Sequence, residues 1–199
     1  MLPDPAIPGQ TPLDDLSGLR ITTIRTTAQL NAAEAQNIRK AAMKYLVSKP
    51  SKRSARFDTL WLKKLQAEML GDVWTWAGTL RKRETNIGAQ PHLIETDLLN
   101  LIEDLKAWQL STMPRLEQAV RLHHIAVRIH PFPNGNGRWS RKLGNIWLKL
   151  HGAQPVDWPE TTIGTASTIP DQYLTAIRVA DRGDLTRLRE LHRTFVRRT

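Results

Sequence analysis

Apolar and polar residues along most of this chain recur with the period of a helix, about 3.6 residues. The stripe is clearest between residues 95 and 108, where leucines and an isoleucine stand three or four positions apart. Asn31 and Glu34 have the spacing of a capping box at the start of the first such stretch. The pattern predicts a mostly α fold of about seven helices, covering roughly residues 35–46, 57–70, 95–108, 114–130, 137–150, 170–179 and 185–196.

Two segments lack a helical stripe. Residues 1–20 are rich in proline and turn formers, which predicts an extended N-terminal arm. Residues 74–88 are punctuated by glycines and show no helical period, which predicts a short β-hairpin. The remaining chain, residues 21–199, has the length of a single domain.

Composition narrows the class of protein. No cysteine occurs among the 199 residues, which excludes a disulfide framework, a cysteine zinc site and a thiol nucleophile. No signal-peptide pattern occurs and no apolar run approaches the roughly 20 residues of a membrane span, so we expect a cytoplasmic protein without a membrane partner. The formal charge of +10 favours anionic partners. The basic clusters at 49–56 and 187–198 lack interleaved aromatic residues, so nucleic acid is the less favoured partner.

Residues 130–141, His-Pro-Phe-Pro-Asn-Gly-Asn-Gly-Arg-Trp-Ser-Arg, join the end of one helix to the start of another. Gly135 and Gly137 permit backbone angles that other residues resist, and the unpaired N–H groups of a helix N-terminus bind anions. Arg138 and Arg141 are three positions apart, so both guanidinium groups can reach the same face. Two arginines beside such a nest of N–H groups suit a polyphosphate.

His130 stands directly before this loop. Its ordinary pKa near 6.5 allows a neutral imidazole to accept a proton from an attacking hydroxyl. The competing interpretation is a plain glycine turn with His130 as a core residue. His123 and His124 lack the spacing of a zinc site and are expected in the core, as is Trp139.

The segment 130–141 resembles the signature of the Fic family, HPFx(D/E)GNGRxxR. The similarity extends to the family's flap, a hairpin that holds a target segment by strand addition. It also extends to the helical tail and, for the subgroup called mobile mystery protein B, to the start of the chain. The residues that carry these further similarities are 76–81 with 87–88, 173–184, and 11–14 with 30–34.

The resemblance implies a Fic-type helical bundle with a small β-hairpin flap at about residues 79–94. In that family the usual reaction moves AMP from ATP, with Mg²⁺, onto a Ser, Thr or Tyr hydroxyl of a target protein, and pyrophosphate leaves. The flap positions that would dock the target are Thr79, Leu80, Arg81, Asn86, Ile87 and Gly88.

The resemblance also implies roles within the motif. His130 would be the general base, and Phe132 would anchor the loop in the core. The phosphates would be held by Gly135, Asn136, Gly137, Arg138 and Arg141, with the Asn136 side chain at the α-phosphate. Positioning and charge stabilisation would supply most of the rate.

One position departs from the family signature. Asn134 stands where family members have Asp or Glu, the carboxylate that helps to hold Mg²⁺. An amide oxygen binds this cation more weakly, so Mg²⁺ would be held chiefly by the nucleotide. The identity of the transferred group stays open, and AMP or another phosphate-containing group fits.

Two further alternatives concern regulation and catalysis. The Ser/Thr-x-x-x-Glu-Gly/Asn sequence that silences many Fic enzymes through the second motif arginine is missing. Glu34 comes nearest to it, as either a helix cap or a regulatory group. We therefore expect inhibition by a separate antitoxin-like protein, with the chain acting as a toxin. The competing class is a binding module for nucleotide or nucleic acid without chemistry.

Overall fold

The computed structural model describes residues 16–159 and 171–196. These residues form seven α-helices and a short 3-10 helix, Pro91–Leu93, so the predicted mostly α fold is confirmed. None of the described helices is both long and apolar enough to cross a membrane. The α-helices are α1 Thr27–Leu46, α2 Thr59–Leu70, α3 Ile94–Leu110, α4 Arg115–Ile129, α5 Asn136–Leu150, α6 Asp171–Ala180 and α7 Thr186–Phe195.

Helix α1 begins earlier than its sequence pattern indicates. Its N-cap is Thr26, whose side chain accepts from the N–H of Gln29 while the Gln29 side chain accepts from the N–H of Thr26. The capping box predicted at Asn31 and Glu34 is therefore wrong, and both residues lie inside the helix. Glu34 does not cap the helix, and its side chain is buried in the protein interior.

Helix α5 lies at the centre of the bundle, in contact with α4, α1 and α2. Its apolar face and theirs form the main core, in which Trp74, Trp139 and Phe132 are fully buried. A smaller second core joins α4 to the two C-terminal helices, α6 and α7. Helix α5 therefore touches both the N-terminal helices and the helix that carries the C-terminal pair.

Residues 79–90 run as an irregular segment, so the predicted β-hairpin is wrong. In the described chain the only β-type pairings are two isolated bridges, one of which joins Leu19 to Trp74. The segment bonds elsewhere: the N–H groups of Arg81 and Ala89 donate to the carbonyls of Pro131 and Ile129, at 2.9 and 3.1 Å. These two N–H groups therefore bond to residues at and just after the end of α4, and they are not available for the hydrogen-bond ladder of a β-hairpin.

The N-terminal arm can be followed only from residue 16, since residues 1–15 lie outside the described residues. Residues 16–20 pack beside 73–75. The N–H of Arg20 donates to the carbonyl of Val73, and the N–H of Thr75 donates to the carbonyl of Gly18, both at 2.8 Å.

Candidate functional site

His130 ends helix α4 in a left-handed conformation, with φ 52° and ψ 56°. A side chain rarely adopts these angles, and Pro131 prevents the helix from continuing past them. The helix therefore ends at His130, directly before the loop. Such a conformation in a non-glycine residue is held by its surroundings and is frequent at functional sites.

The His130 imidazole is largely buried, at 7% exposure, and its Nδ1 has no hydrogen-bond partner among the described residues. Burial, with the nearby positive charge of Arg81, lowers the pKa of His130 to about 4. The ring is therefore neutral near pH 7. Because Nδ1 is sealed in the interior, Nε2 is the ring nitrogen available for a proton transfer.

Arg81 fastens the 79–90 segment to this histidine. Its Nε donates to the carbonyl of His130 at 2.7 Å, while its other nitrogens donate to the carbonyls of Arg83 and Ala89. The predicted flap residue Arg81 is buried, and its side chain connects the 79–90 segment to His130 through hydrogen bonds. Of the other predicted flap positions, Leu80 is half-buried, and Thr79, Asn86, Ile87 and Gly88 are exposed.

Gly88 passes so close to His130 that no side chain fits. A Cβ at this position would lie 2.6 Å from the His130 Cβ and 3.1 Å from the carbonyl oxygen of Ile129. Its φ of +106° also belongs to the region that favours glycine. The backbone of residues 79–90 is therefore packed directly against His130 at Gly88.

The loop after His130 is held from inside by Asn136. Its amide oxygen accepts from the N–H of Phe132 at 2.9 Å, and its amide nitrogen donates to the carbonyl of Phe132 at 2.8 Å. Phe132 is fully buried, edge-on to Trp139. Both polar atoms of the Asn136 side chain are thus used within the loop, which leaves its backbone N–H for an anion.

Helix α5 begins at this loop without a side-chain cap. Gly135 is the N-cap residue, at φ 78°, and its carbonyl accepts the first helical bond from Trp139 at 2.9 Å. A Cβ on Gly135 would meet the Leu70 side chain at 2.6 Å. The first-turn N–H groups, including those of Asn136 and Gly137, point out of the helix end with its positive dipole, a site suited to phosphate.

Arg138 is paired with Glu34, which the sequence offers as either a helix cap or a regulatory group. Arg138 Nη1 lies 2.6 Å from Glu34 Oε2, and Trp74 Nε1 donates to the other carboxylate oxygen, also at 2.6 Å. Glu34 and Trp74 are buried, while about a quarter of the Arg138 side chain is exposed. No sequence signal joins residues 104 positions apart.

Arg141 lies one turn further along α5 and is 3% exposed. Its guanidinium carbon stands 5.4 Å from the centre of the Tyr173 ring, within the range of a cation–π contact. The structure thus places His130, the α5 N-terminus, Arg138 and Arg141 around one short stretch of chain. Trp139 and His123 lie in the core, as predicted.

The residues here do not form a metal site. The side-chain oxygen of Asn134 accepts from the N–H of Gly135 at 2.6 Å. Across residues 16–159 and 171–196, no cluster of three or more His, Asp or Glu side chains could hold a metal ion. A magnesium ion would therefore depend on oxygen atoms that a nucleotide brings with it.

The chain is similar in sequence to members of one family. Residues 56–148 match the sequence model of the Fic/DOC family. The chain is 30% identical to the protein adenylyltransferase fic-1 of Caenorhabditis elegans over 113 residues, 55% of this chain and 21% of that protein. It is 36% identical to a Fido domain-containing protein of Dictyostelium discoideum over 93 residues, 46% of this chain and 60% of the other. The chain thus spans about a fifth of the length of fic-1.

The fold is similar to solved Fic structures. A fragment of C. elegans Fic-1 superposes with a TM-score of 0.71 at 23% identity, covering 88% of this chain and 51% of that one. The BepC protein of Bartonella tribocorum, solved with bound AMPPNP, superposes with a TM-score of 0.67 at 18% identity and covers 88% and 90% of the two chains. Residues 56–148 thus match the Fic/DOC family model, and the chain has the fold of a Fic domain.

Proposed function

We propose that this chain is a protein adenylyltransferase, which moves AMP from ATP to a hydroxyl side chain of a target protein. The observation that carries the proposal is the neutral, strained His130 beside the uncapped N-terminus of α5. A base and an anion site in such proximity are the two parts that transfer from a nucleotide requires.

In the proposed reaction the target hydroxyl oxygen attacks the α-phosphorus of ATP. The bond between the α-phosphorus and the bridging oxygen to the β-phosphate breaks, and pyrophosphate leaves. His130 Nε2 takes the hydroxyl proton. A pKa of about 4 makes this imidazole a weak base, so the proton moves late, as the new oxygen–phosphorus bond forms.

The remaining parts of the site act on the phosphates. The backbone N–H groups of Asn136 and Gly137 stabilise the charge on the transferred phosphoryl group. Arg138 and Arg141 bind the β- and γ-phosphates, which become the leaving pyrophosphate. Because Glu34 holds only one face of the Arg138 fork, its other nitrogens can reach a phosphate.

The relatives support the chemistry but not its details. The C. elegans relative is named a protein adenylyltransferase, and two structural neighbours from Bartonella were solved with AMPPNP and with ADP. By analogy, the exposed edge of residues 79–90 would hold the target segment beside His130. We also propose that a separate antitoxin-like protein inhibits the enzyme, because the Ser/Thr-x-x-x-Glu-Gly/Asn sequence that silences many Fic enzymes is missing from this chain.

Asn134 favours a second candidate, in which another phosphate-containing group is transferred. The oxygen that would meet a metal belongs to an amide and is already bonded to Gly135. With a weaker metal contact, the orientation of the triphosphate is less strictly fixed than a carboxylate would make it.

One experiment separates these functions. The chain is incubated with a cell lysate and ATP labelled on either the α- or the γ-phosphate, and labelled proteins are resolved. AMP transfer predicts α-label that disappears in His130→Ala, whereas γ-label that disappears in this variant, without α-label, would establish phosphoryl transfer. His124→Ala, a buried histidine six positions earlier on α4, is the matched control and should keep the label.

Nucleotide binding completes the test. Isothermal calorimetry with ATP should give similar affinities for the parent chain and His130→Ala, because the base does not hold the phosphates. Binding without any His130-dependent label from either phosphate would reject both transfer reactions and establish a binding module.

A further inference from the structure

A line of buried polar side chains leads from Arg141 to the last helix, and the proposed reaction does not use it. The hydroxyl of Tyr173, on α6, lies 2.9 Å from Nε2 of His123, on α4. Nδ1 of His123 lies 3.2 Å from Nε2 of His192, on α7, and Nδ1 of His192 lies 2.8 Å from the carbonyl oxygen of Leu188. Three helices are thus joined by consecutive hydrogen bonds.

The carbonyl at the end of this line fixes the direction of every bond. A carbonyl oxygen can only accept, so His192 carries its proton on Nδ1 and offers Nε2 as an acceptor. His123 must then donate from Nδ1, and its Nε2 must accept from the Tyr173 hydroxyl. Each neutral imidazole donates once and accepts once, and no atom of the line is left unsatisfied.

Burial keeps both histidines neutral, as this arrangement requires. His123 is fully buried and His192 is 2% exposed. Burial lowers the pKa of His192 to about 4, and burial, together with the neighbouring His192 ring and the charge of Arg141, lowers the pKa of His123 well below its ordinary value. Trp158 stands edge-on against both rings and closes the line from the side.

The other end of the line meets the phosphate site at Tyr173. The Tyr173 ring lies under the buried guanidinium of Arg141, 5.4 Å from its carbon, and its hydroxyl is the donor that starts the line. The ring cannot turn or slide without breaking the bond to His123. The orientation of this surface beneath Arg141 is therefore set by α4 and α7.

We propose that Tyr173 is a positioning residue for Arg141, fixed in place by the hydrogen-bonded pair His123 and His192. The proposal rests on the proposed function in one respect, namely that Arg141 binds the β- and γ-phosphates of ATP. Tyr173 itself touches neither nucleotide nor target, and it acts by presenting the arginine at a constant angle.

This role differs measurably from ordinary core packing. A packing residue affects stability and, through it, every ligand alike. A positioning residue for Arg141 affects ligands that carry β- and γ-phosphates and spares AMP, which lacks them. The ratio of the ATP affinity to the AMP affinity is therefore the diagnostic quantity.

The experiment measures ATP and AMP dissociation constants by calorimetry for the full chain and for Tyr173→Leu, Tyr173→Phe and His124→Asn. Removal of the ring in Tyr173→Leu should weaken ATP binding about tenfold and AMP binding less than about twofold. Tyr173→Phe keeps the ring but releases it from His123, so the ratio should fall about threefold. His124→Asn alters the neighbouring buried histidine, which bonds to Asp181 outside the line, and should leave the ratio unchanged.

The outcomes distinguish this proposal from the proposed function. Equal losses for ATP and AMP, or no loss for either in folded Tyr173→Leu, would overturn the positioning role. If Tyr173→Leu does not fold, Tyr173→Phe decides in the same way. If the parent chain binds ATP but transfers nothing, only the proposed function fails, and the affinity ratio still decides on Tyr173. A parent chain that binds no ATP refutes both.

Discussion

The two arginines of the phosphate loop rest on different kinds of support. Arg138 pairs with a buried carboxylate, Glu34 on α1, which also binds the indole of Trp74. Arg141 lies over Tyr173, which begins a line of uncharged groups that ends on α7. The first support contains a buried carboxylate charge, whereas the line behind Tyr173 contains two neutral imidazoles. Acid should therefore act mainly on the imidazole line, and removal of a carboxylate should act mainly on the ion pair.

Acid should have the largest effect on stability, and it acts on the line formed by Tyr173, His123 and His192. Burial lowers the pKa values of His123 and His192, so between pH 6.5 and pH 4 the unfolded chain binds more protons than the folded protein. Their stability contribution is complete above pH 6.5 and declines as the pH falls. At pH 5 we expect the free energy of unfolding to be several kcal/mol lower than at pH 7, of which His192 alone supplies about 2 kcal/mol.

Proton uptake on unfolding measures this effect directly. Calorimetric unfolding at pH 5.5 in buffers of different ionisation enthalpy should show about three protons taken up, mostly by His123, His130 and His192, with a smaller share from His151, whose pKa burial also lowers. Glu34→Gln should take up the same number, because the carboxylate pair is not part of the line. An uptake near zero in the parent chain would show that these histidines are not buried in neutral form.

Removal of the carboxylate charge should have the next largest effect. Glu34→Gln keeps an oxygen for Trp74 but leaves the partly buried Arg138 without its counter-charge. Breaking a buried ion pair costs about 3–5 kcal/mol, and since Arg138 is partly exposed we expect about 2–3 kcal/mol. Chemical denaturation measures the loss. Lys40→Ala, which removes an exposed pair with Asp72, is the control and should cost less than about 1 kcal/mol. A loss that small in Glu34→Gln would mean that the charge contributes nothing.

The sequence predicted the helices and the central loop because their signals are local. Helical periodicity, Pro131 and the two glycines each act within a few residues, and the loop geometry follows from them. The Fic signature then named His130 and both arginines. The sequence offered Glu34 only as a helix cap or a regulatory group and gave no role beside Arg141 to Tyr173, because a contact between α1 and α5 or between α6 and α5 depends on how the helices pack.

The two errors of the sequence-based prediction have different physical causes. Asn31 and Glu34 fit a capping box locally, but Thr26 and Gln29 form one earlier, and the longer helix carries Glu34 to Arg138. The 79–90 segment has hairpin composition, yet its backbone donors bond to the end of α4. In the first case an earlier capping box replaced a later one, and in the second a tertiary contact outweighed a local preference.

The smallest predicted loss of stability comes from Tyr173→Phe, which breaks the first hydrogen bond of the neutral line. Tyr173→Phe removes one buried hydroxyl and leaves His123 Nε2 without a donor, which should cost about 1 kcal/mol. The line and the ion pair share no residue, so the double variant Glu34→Gln/Tyr173→Phe should lose the sum of the two single losses, within about 0.5 kcal/mol. Denaturation of the four proteins of this cycle measures the coupling. A larger coupling would show that the two supports communicate through α5, which carries both arginines, and that the loop is held as one unit.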